Sequence, residues 1–207
     1  MAHQHPTTNP VIHRLTGVKY LEIGKWKTVF KEKFNLGYFY QALHDFLLEE
    51  GFAPRGEADF KEVYYMQREN PNFGKEARIR WRCEWTPQHQ KKESPLFVYS
   101  MDFDWYFLGV KNTEGTYRGQ KVEVQKGELE LIVSAKLIID REKWFEKSAL
   151  KPIKDLFLNR MIKKQKEMHI KAVYDASAKT RDWVHNYFKM PTLTSERDQF
   201  VSRRDLE

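Results

Sequence analysis

The chain has 207 residues, of which 41% are hydrophobic, 14% aromatic and 31% charged, proportions that fit one globular domain with its own core rather than a disordered chain. The longest apolar stretch, Leu129 to Ile139, is broken by Glu130, Ser134 and Lys136, and the opening MAHQHPTTNP has no apolar segment. Neither a transmembrane segment nor a secretory signal is therefore expected, and the expected location is cytoplasmic. The formal net charge of +7 is concentrated: residues 141–189 hold thirteen Lys/Arg against six Asp/Glu, and the rest of the chain is neutral. A local excess of this kind attracts polyanions or anionic surfaces, whereas a dispersed one mainly confers solubility.

Residues 1–16 read as a polar tail, 17–190 as a single domain and 191–207 as a second polar tail. The stretch GVKYLEIGKWKTVFKEKF (Gly17–Phe34) has the alternation and β-friendly residues of a first strand. Asn35 can then cap a helix in which Leu36, Phe39, Tyr40, Leu43, Phe46 and Leu47 recur at three- and four-residue spacing until Gly51 stops it. Five strands are expected next, at Asp59–Arg68, Ala77–Thr86, Leu96–Val110, Tyr117–Gln125 and Glu128–Ile139. The segments NPNFG, TPQHQKKESP, KNTEG and Lys126-Gly127 read as the turns between them, and such short connections favour an antiparallel meander. From Arg141 the composition becomes helix-forming, predicting a short helix near Glu142–Ser148 and a long one from Pro152. Leu158, Ile162, His169, Val173, Ala176, Thr180, Val184 and Tyr187 line one side of the long helix.

The segment RIRWRCEW (78–85) and the following LFVYSMDFDWYF (96–107) both alternate. Arg78, Arg80, Arg82 and Glu84 share one strand face, while Ile79, Trp81, Cys83 and Trp85 share the other. A hairpin that places Arg80 opposite Asp102 and Arg78 opposite Asp104 sets Trp81 by Met101 and Trp85 by Phe97. Arginines paired in this way form the ordinary polar face of a strand, which disfavours nucleic acid as their partner. Glu128 and Glu130 read as further cross-strand partners of Lys or Arg, and Cys83 as a buried structural thiol that cannot form an intramolecular disulfide. The aromatic side must be covered by the two helices, giving an α+β fold with helices on one face of a curved antiparallel sheet of about six strands.

No catalytic, metal or cofactor motif is present: there is no phosphate-cradling glycine loop, GxSxG, HExxH or CxxC. His3 and His5 lie in a tail without further fixed ligands. The residues point to a binding protein rather than an enzyme. One reading places an apolar small molecule between sheet and C-terminal helix, with Trp81, Tyr99, Phe103, Trp105 and His169 as candidate lining. A second places a polyanion or a protein partner on the basic helical segment, through Lys163, Lys164, Lys166 and Lys171. The order strand, helix, five-strand meander, long C-terminal helix over Val18–Phe188 resembles the START-type helix-grip superfamily. That resemblance implies a curved sheet gripping the last helix around a lipid or other hydrophobic ligand, and a fold that also hosts small enzymes. In place of that family's two helices after the first strand, this chain has one, followed by APRGEADF. RIRWR (78–82), KGELEL (126–131) and WFEKSALKP (144–152) are similar to segments of uncharacterised archaeal hypothetical proteins, which implies no activity.

Overall fold

The short side chain of Asn35 decides where extended chain becomes helix. Its Oδ1 accepts the Tyr38 N–H at 3.1 Å, replacing one of the partners that a first helical turn lacks. The computed structural model describes residues 20–52, 61–87, 96–117, 120–140, 143, 160 and 162–189. Within them α1 (Leu36–Glu49) ends before Gly51, whose φ of 70° is the left-handed stop that glycine tolerates. The strands are β1 (Tyr20–Phe30), β2 (Lys33–Phe34), β3 (Lys61–Asn70), β4 (Gly74–Trp85), β5 (Phe97–Tyr117) and β6 (Gln120–Ile139), and the last helix is α2 (Lys163–Lys189). Apart from Lys143, whose φ of 54° is not that of a right-handed helix, the expected helix near Glu142–Ser148, the start of the long helix at Pro152 and both tails lie outside the described residues.

All pairing is antiparallel, in the order β1-β6-β5-β4-β3, with β2 also on β6. The sheet is curved and unclosed, both helices lie against its inner face, and the meander has four strands where five were expected. KNTEG is not a turn. Thr113 pairs with Val124 and Gly115 with Val122, so β5 and β6 run on as a long two-stranded arm. Lys126-Gly127 is likewise strand, and the bend is absorbed opposite it by a register shift between Leu108 and Lys111, where Gly109 has φ 61°. A bulge takes up the turn-type residues without reversing the chain. A Cβ on Gly127 would sit 2.8 Å from Val110 Cα.

α2, about 40 Å long at 1.5 Å per residue, lies along β1 and β6. Trp26 Nε1 donates to Ser177 Oγ at 3.1 Å, Thr28 Oγ1 meets His185 Nε2 at 2.9 Å, and Phe30 stacks on Phe188 with centroids 4.3 Å apart. Three alternate side chains of β1 thus fix the helix along its length. His169, Val173, Ala176, Ser177, Thr180, Val184 and Phe188 form its buried side. Phe39, Leu43, Phe46 and Leu47 do the same for α1, and both helices close on Trp81, Phe103, Trp105 and Phe107. Gly127→Ala forces backbone against backbone and is expected to cost about 1–3 kcal/mol, read as a lower denaturant midpoint with an unchanged m-value. Gly51→Ala, with open space around the Cβ, should cost only the left-handed penalty of about 1–2 kcal/mol.

Candidate functional site

The β4–β5 register places Trp81 opposite Phe103, Ile79 opposite Trp105 and Trp85 opposite Tyr99. The aromatic layer under the helices follows from this alignment. Trp81 and Trp105 lie with centroids 4.8 Å apart, Trp81 and Phe103 at 6.1 Å, and Phe39 of α1 reaches Trp105 at 5.2 Å. Trp81, Phe103 and Trp105 are fully buried. Tyr99 and His169 form a second group under the first half of α2, with Tyr99 Oη 2.7 Å from His169 Nδ1 and the Phe97 ring 4.3 Å from the imidazole. Burial raises the Tyr99 phenol above its ordinary pKa. The five candidate lining residues therefore all face the sheet-helix space, as two neighbouring groups.

Two polar atoms distinguish the first group. Trp81 Nε1 donates to Tyr40 Oη at 3.0 Å, and Tyr40 in turn donates to the Glu62 carboxylate. Burial, and next the hydrogen bond to Glu62, push the Tyr40 phenol far above its usual range, so it remains a donor at every physiological pH. Trp105 Nε1 is buried with no acceptor. Glu62 and Trp183 were not singled out from sequence, and Tyr40 and Tyr187 were read only as stripe residues of their helices. Tyr40 had a signal, since it sits on the apolar stripe of α1 with a hydroxyl that burial obliges to find a partner. Trp183, which stacks on Phe46 at 4.9 Å, falls beside the stripe read for the long helix.

On the opposite face the arginines pair as expected in kind, but two residues out of the expected register. Arg80 faces Asp104 and Arg82 faces Asp102, while Arg78 faces Tyr106, donates to its hydroxyl at 2.9 Å and stacks on its ring. This shift gives both aspartates a bidentate arginine partner. Nor are these charges a solvated row. Asp102 is 4% and Arg82 8% exposed, with Arg82 Nε to Asp102 Oδ1 at 2.7 Å and Lys136 Nζ to Asp102 Oδ2 at 2.7 Å. Burial alone would raise the Asp102 carboxyl, but hydrogen bonds and charge from Arg82 and Lys136 outweigh it and hold it below the usual value. Glu130 pairs with Lys27 at 2.7 Å and Glu128 with Lys31 at 3.2 Å, as the strand reading anticipated. Cys83 is buried, and that burial with the nearby Asp102 and Glu84 carboxylates pushes its thiol far up, leaving it an inert packing residue.

On α2, Lys163, Lys164 and Lys171 are exposed and Lys166 is half-buried. Lys163 lies 3.8 Å from Glu167, while Met168 and Tyr174 are exposed among these lysines. Among the described residues no group of three or more His, Cys, Asp or Glu is placed to hold a metal ion, and no helix is long and apolar enough to cross a membrane. No family model, curated protein or solved structure matches the chain. Asp102→Asn leaves Arg82 and Lys136 buried without their counter-charge and is expected to destabilise the fold by about 3–5 kcal/mol. Because the folded-state value of Asp102 is depressed, its contribution is complete above the unfolded value of 3.8 and is lost as pH falls from there through the lower folded value. Denaturant titrations over acidic pH should show that loss in the parent and a smaller slope in Asp102→Asn.

Proposed function

We propose that the protein is a binding protein for an apolar small molecule that carries a hydrogen-bond acceptor, held between the inner face of the sheet and the two helices. The observation that carries this reading is Trp105 Nε1, a fully buried donor with no acceptor in a wall built otherwise from Phe39, Trp81, Phe103 and Phe107. A buried hydrogen bond left unmade costs about 1–3 kcal/mol, and an apolar surface with one unspent donor is the chemistry of an oriented hydrophobic-ligand site. Neighbouring Trp81 already spends its donor on Tyr40, so specificity falls to Trp105. Admission of a ligand requires α1 to shift away from Trp105. Its polar ties to the rest of the fold include Tyr40 to Glu62 and Glu50 to Lys179, each joining a half-buried residue to an exposed one. The element order, with four meander strands in place of five, resembles that of helix-grip proteins and supports the same reading by analogy of fold.

A second reading places a polyanion or protein partner on the outer side of α2, favoured by the exposure of Lys163, Lys164 and Lys171 around Met168 and Tyr174. Native against denaturing mass spectrometry of the freshly purified protein, with the ultraviolet absorbance ratio of the same sample, tests the two together. An organic mass lost on denaturation supports the interior site, nucleic-acid absorbance supports the surface of α2, and a clean apo mass counts against retained ligand. Trp105→Phe is expected to abolish the adduct while changing stability by no more than about 1 kcal/mol, because removing the orphan donor offsets the lost ring volume.

A further inference from the structure

Where the β5–β6 arm leaves the body of the sheet, three lysines fall in one row across three strands. Lys126 of β6 lies opposite Lys33 of β2 on one side and opposite Lys111 of β5 on the other. Directly opposed side chains share a face of the sheet, and adjacent strands lie about 4.8 Å apart, so the row spans about 10 Å. Like charges in this position destabilise a sheet. All three residues are exposed, and none of them has a carboxylate within ion-pair distance among the described residues. Lys33 and Lys111 instead donate to the backbone carbonyls of Glu114 at 3.0 Å and Asn72 at 3.2 Å. Of the nearby acids, Glu128 is engaged by Lys31 at 3.2 Å and Glu114 by Lys121 at 2.9 Å.

The row borders an open cleft of about 540 Å³ lined by Lys31, Lys111, Lys126, Asn112, Thr113 and Glu128, with Gly109 and Gly127 presenting bare backbone; Lys31 neutralises Glu128 there. We propose that this cleft is an anion site, distinct from the interior space, in which Lys33, Lys111 and Lys126 hold a phosphate-bearing ligand. A multiply charged phosphate group suits the row better than a single carboxylate, since it offers several oxygens to three ammonium groups at once. Asn112 and Thr113 supply neutral hydrogen-bonding groups beside it. The repulsion within the row is then relieved by the ligand rather than by the protein.

Thermal unfolding of the full chain with added inorganic pyrophosphate tests the proposal. Pyrophosphate is expected to raise the midpoint of the parent at low salt and less at high salt. Lys126→Glu should unfold at a higher temperature than the parent without ligand, because it replaces two repulsions by two attractions, and should bind pyrophosphate at least about tenfold more weakly. Lys25→Glu, the same charge change at an exposed position of β1, should leave the affinity unaltered. Equal weakening by Lys25→Glu and Lys126→Glu would reduce the effect to net charge and overturn the site. Co-sedimentation with phosphatidylcholine vesicles doped with phosphatidic acid separates the sources. A pyrophosphate response without sedimentation identifies a free phosphate ligand. Sedimentation lost in Lys126→Glu without a pyrophosphate response identifies a lipid headgroup, and no response in either arm overturns the proposal.

Discussion

The Asp102 carboxylate, gripped by Arg82 from one neighbouring strand and Lys136 from the other, is the constraint on which the rest of the fold depends. A slip of one residue between β4 and β5 would move every side chain to the wrong face. A slip of two would keep the faces but leave Arg82 opposite Ser100 with no carboxylate, in a place where it is almost removed from water. The energetic penalty of an unpaired buried charge therefore selects the observed alignment among those that hydrophobic patterning alone permits. Arg80 and Asp104 repeat the selection one pair along the same strands.

The inner face inherits its order from that alignment. With Arg82 against Asp102, Trp81 must meet Phe103 and Trp85 must meet Tyr99, and the tryptophans come together as a patch wide enough to need both helices. α2 covers the β1 side through Trp26, Thr28 and Phe30, while α1 fills the angle between α2 and the tryptophans through Phe39, Tyr40 and Phe46. Polar atoms in this layer are mostly paired off, Tyr99 with His169 and Trp81 with Tyr40. Against that background an unpartnered indole N–H is informative, because buried donors are satisfied in the great majority of cases.

Charge is used in two ways on the outside. Around Asp102 and Asp104 it is matched across strands and withdrawn from water. At Lys33, Lys126 and Lys111 it is left unmatched and exposed, where high dielectric makes the repulsion tolerable. The first arrangement specifies the fold. The second contributes hydrogen bonds from Lys33 and Lys111 to backbone carbonyls but leaves the three charges to repel one another across the strands.

Sequence alone determined the class of the fold, the capped first helix at Asn35, the two faces of RIRWRCEW, the kind of partner that Glu128 and Glu130 take, and the buried stripe from His169 to Val184. Each is a local periodicity or a local capping geometry, and these survive into any tertiary arrangement that buries the apolar side. Tertiary structure decided what local pattern leaves degenerate. KNTEG and Lys126-Gly127 have turn composition, yet they are strand because Val124 is buried and a bulge at Gly109 supplies the bend. The β4–β5 register is offset by two because Arg82, almost removed from water, takes the Asp102 carboxylate opposite it where the expected register would have left it facing Ser100. The lysine row across β2, β6 and β5 joins residues from 33 to 126, a juxtaposition made only when the arm pairs, and neither spacing nor composition announces it.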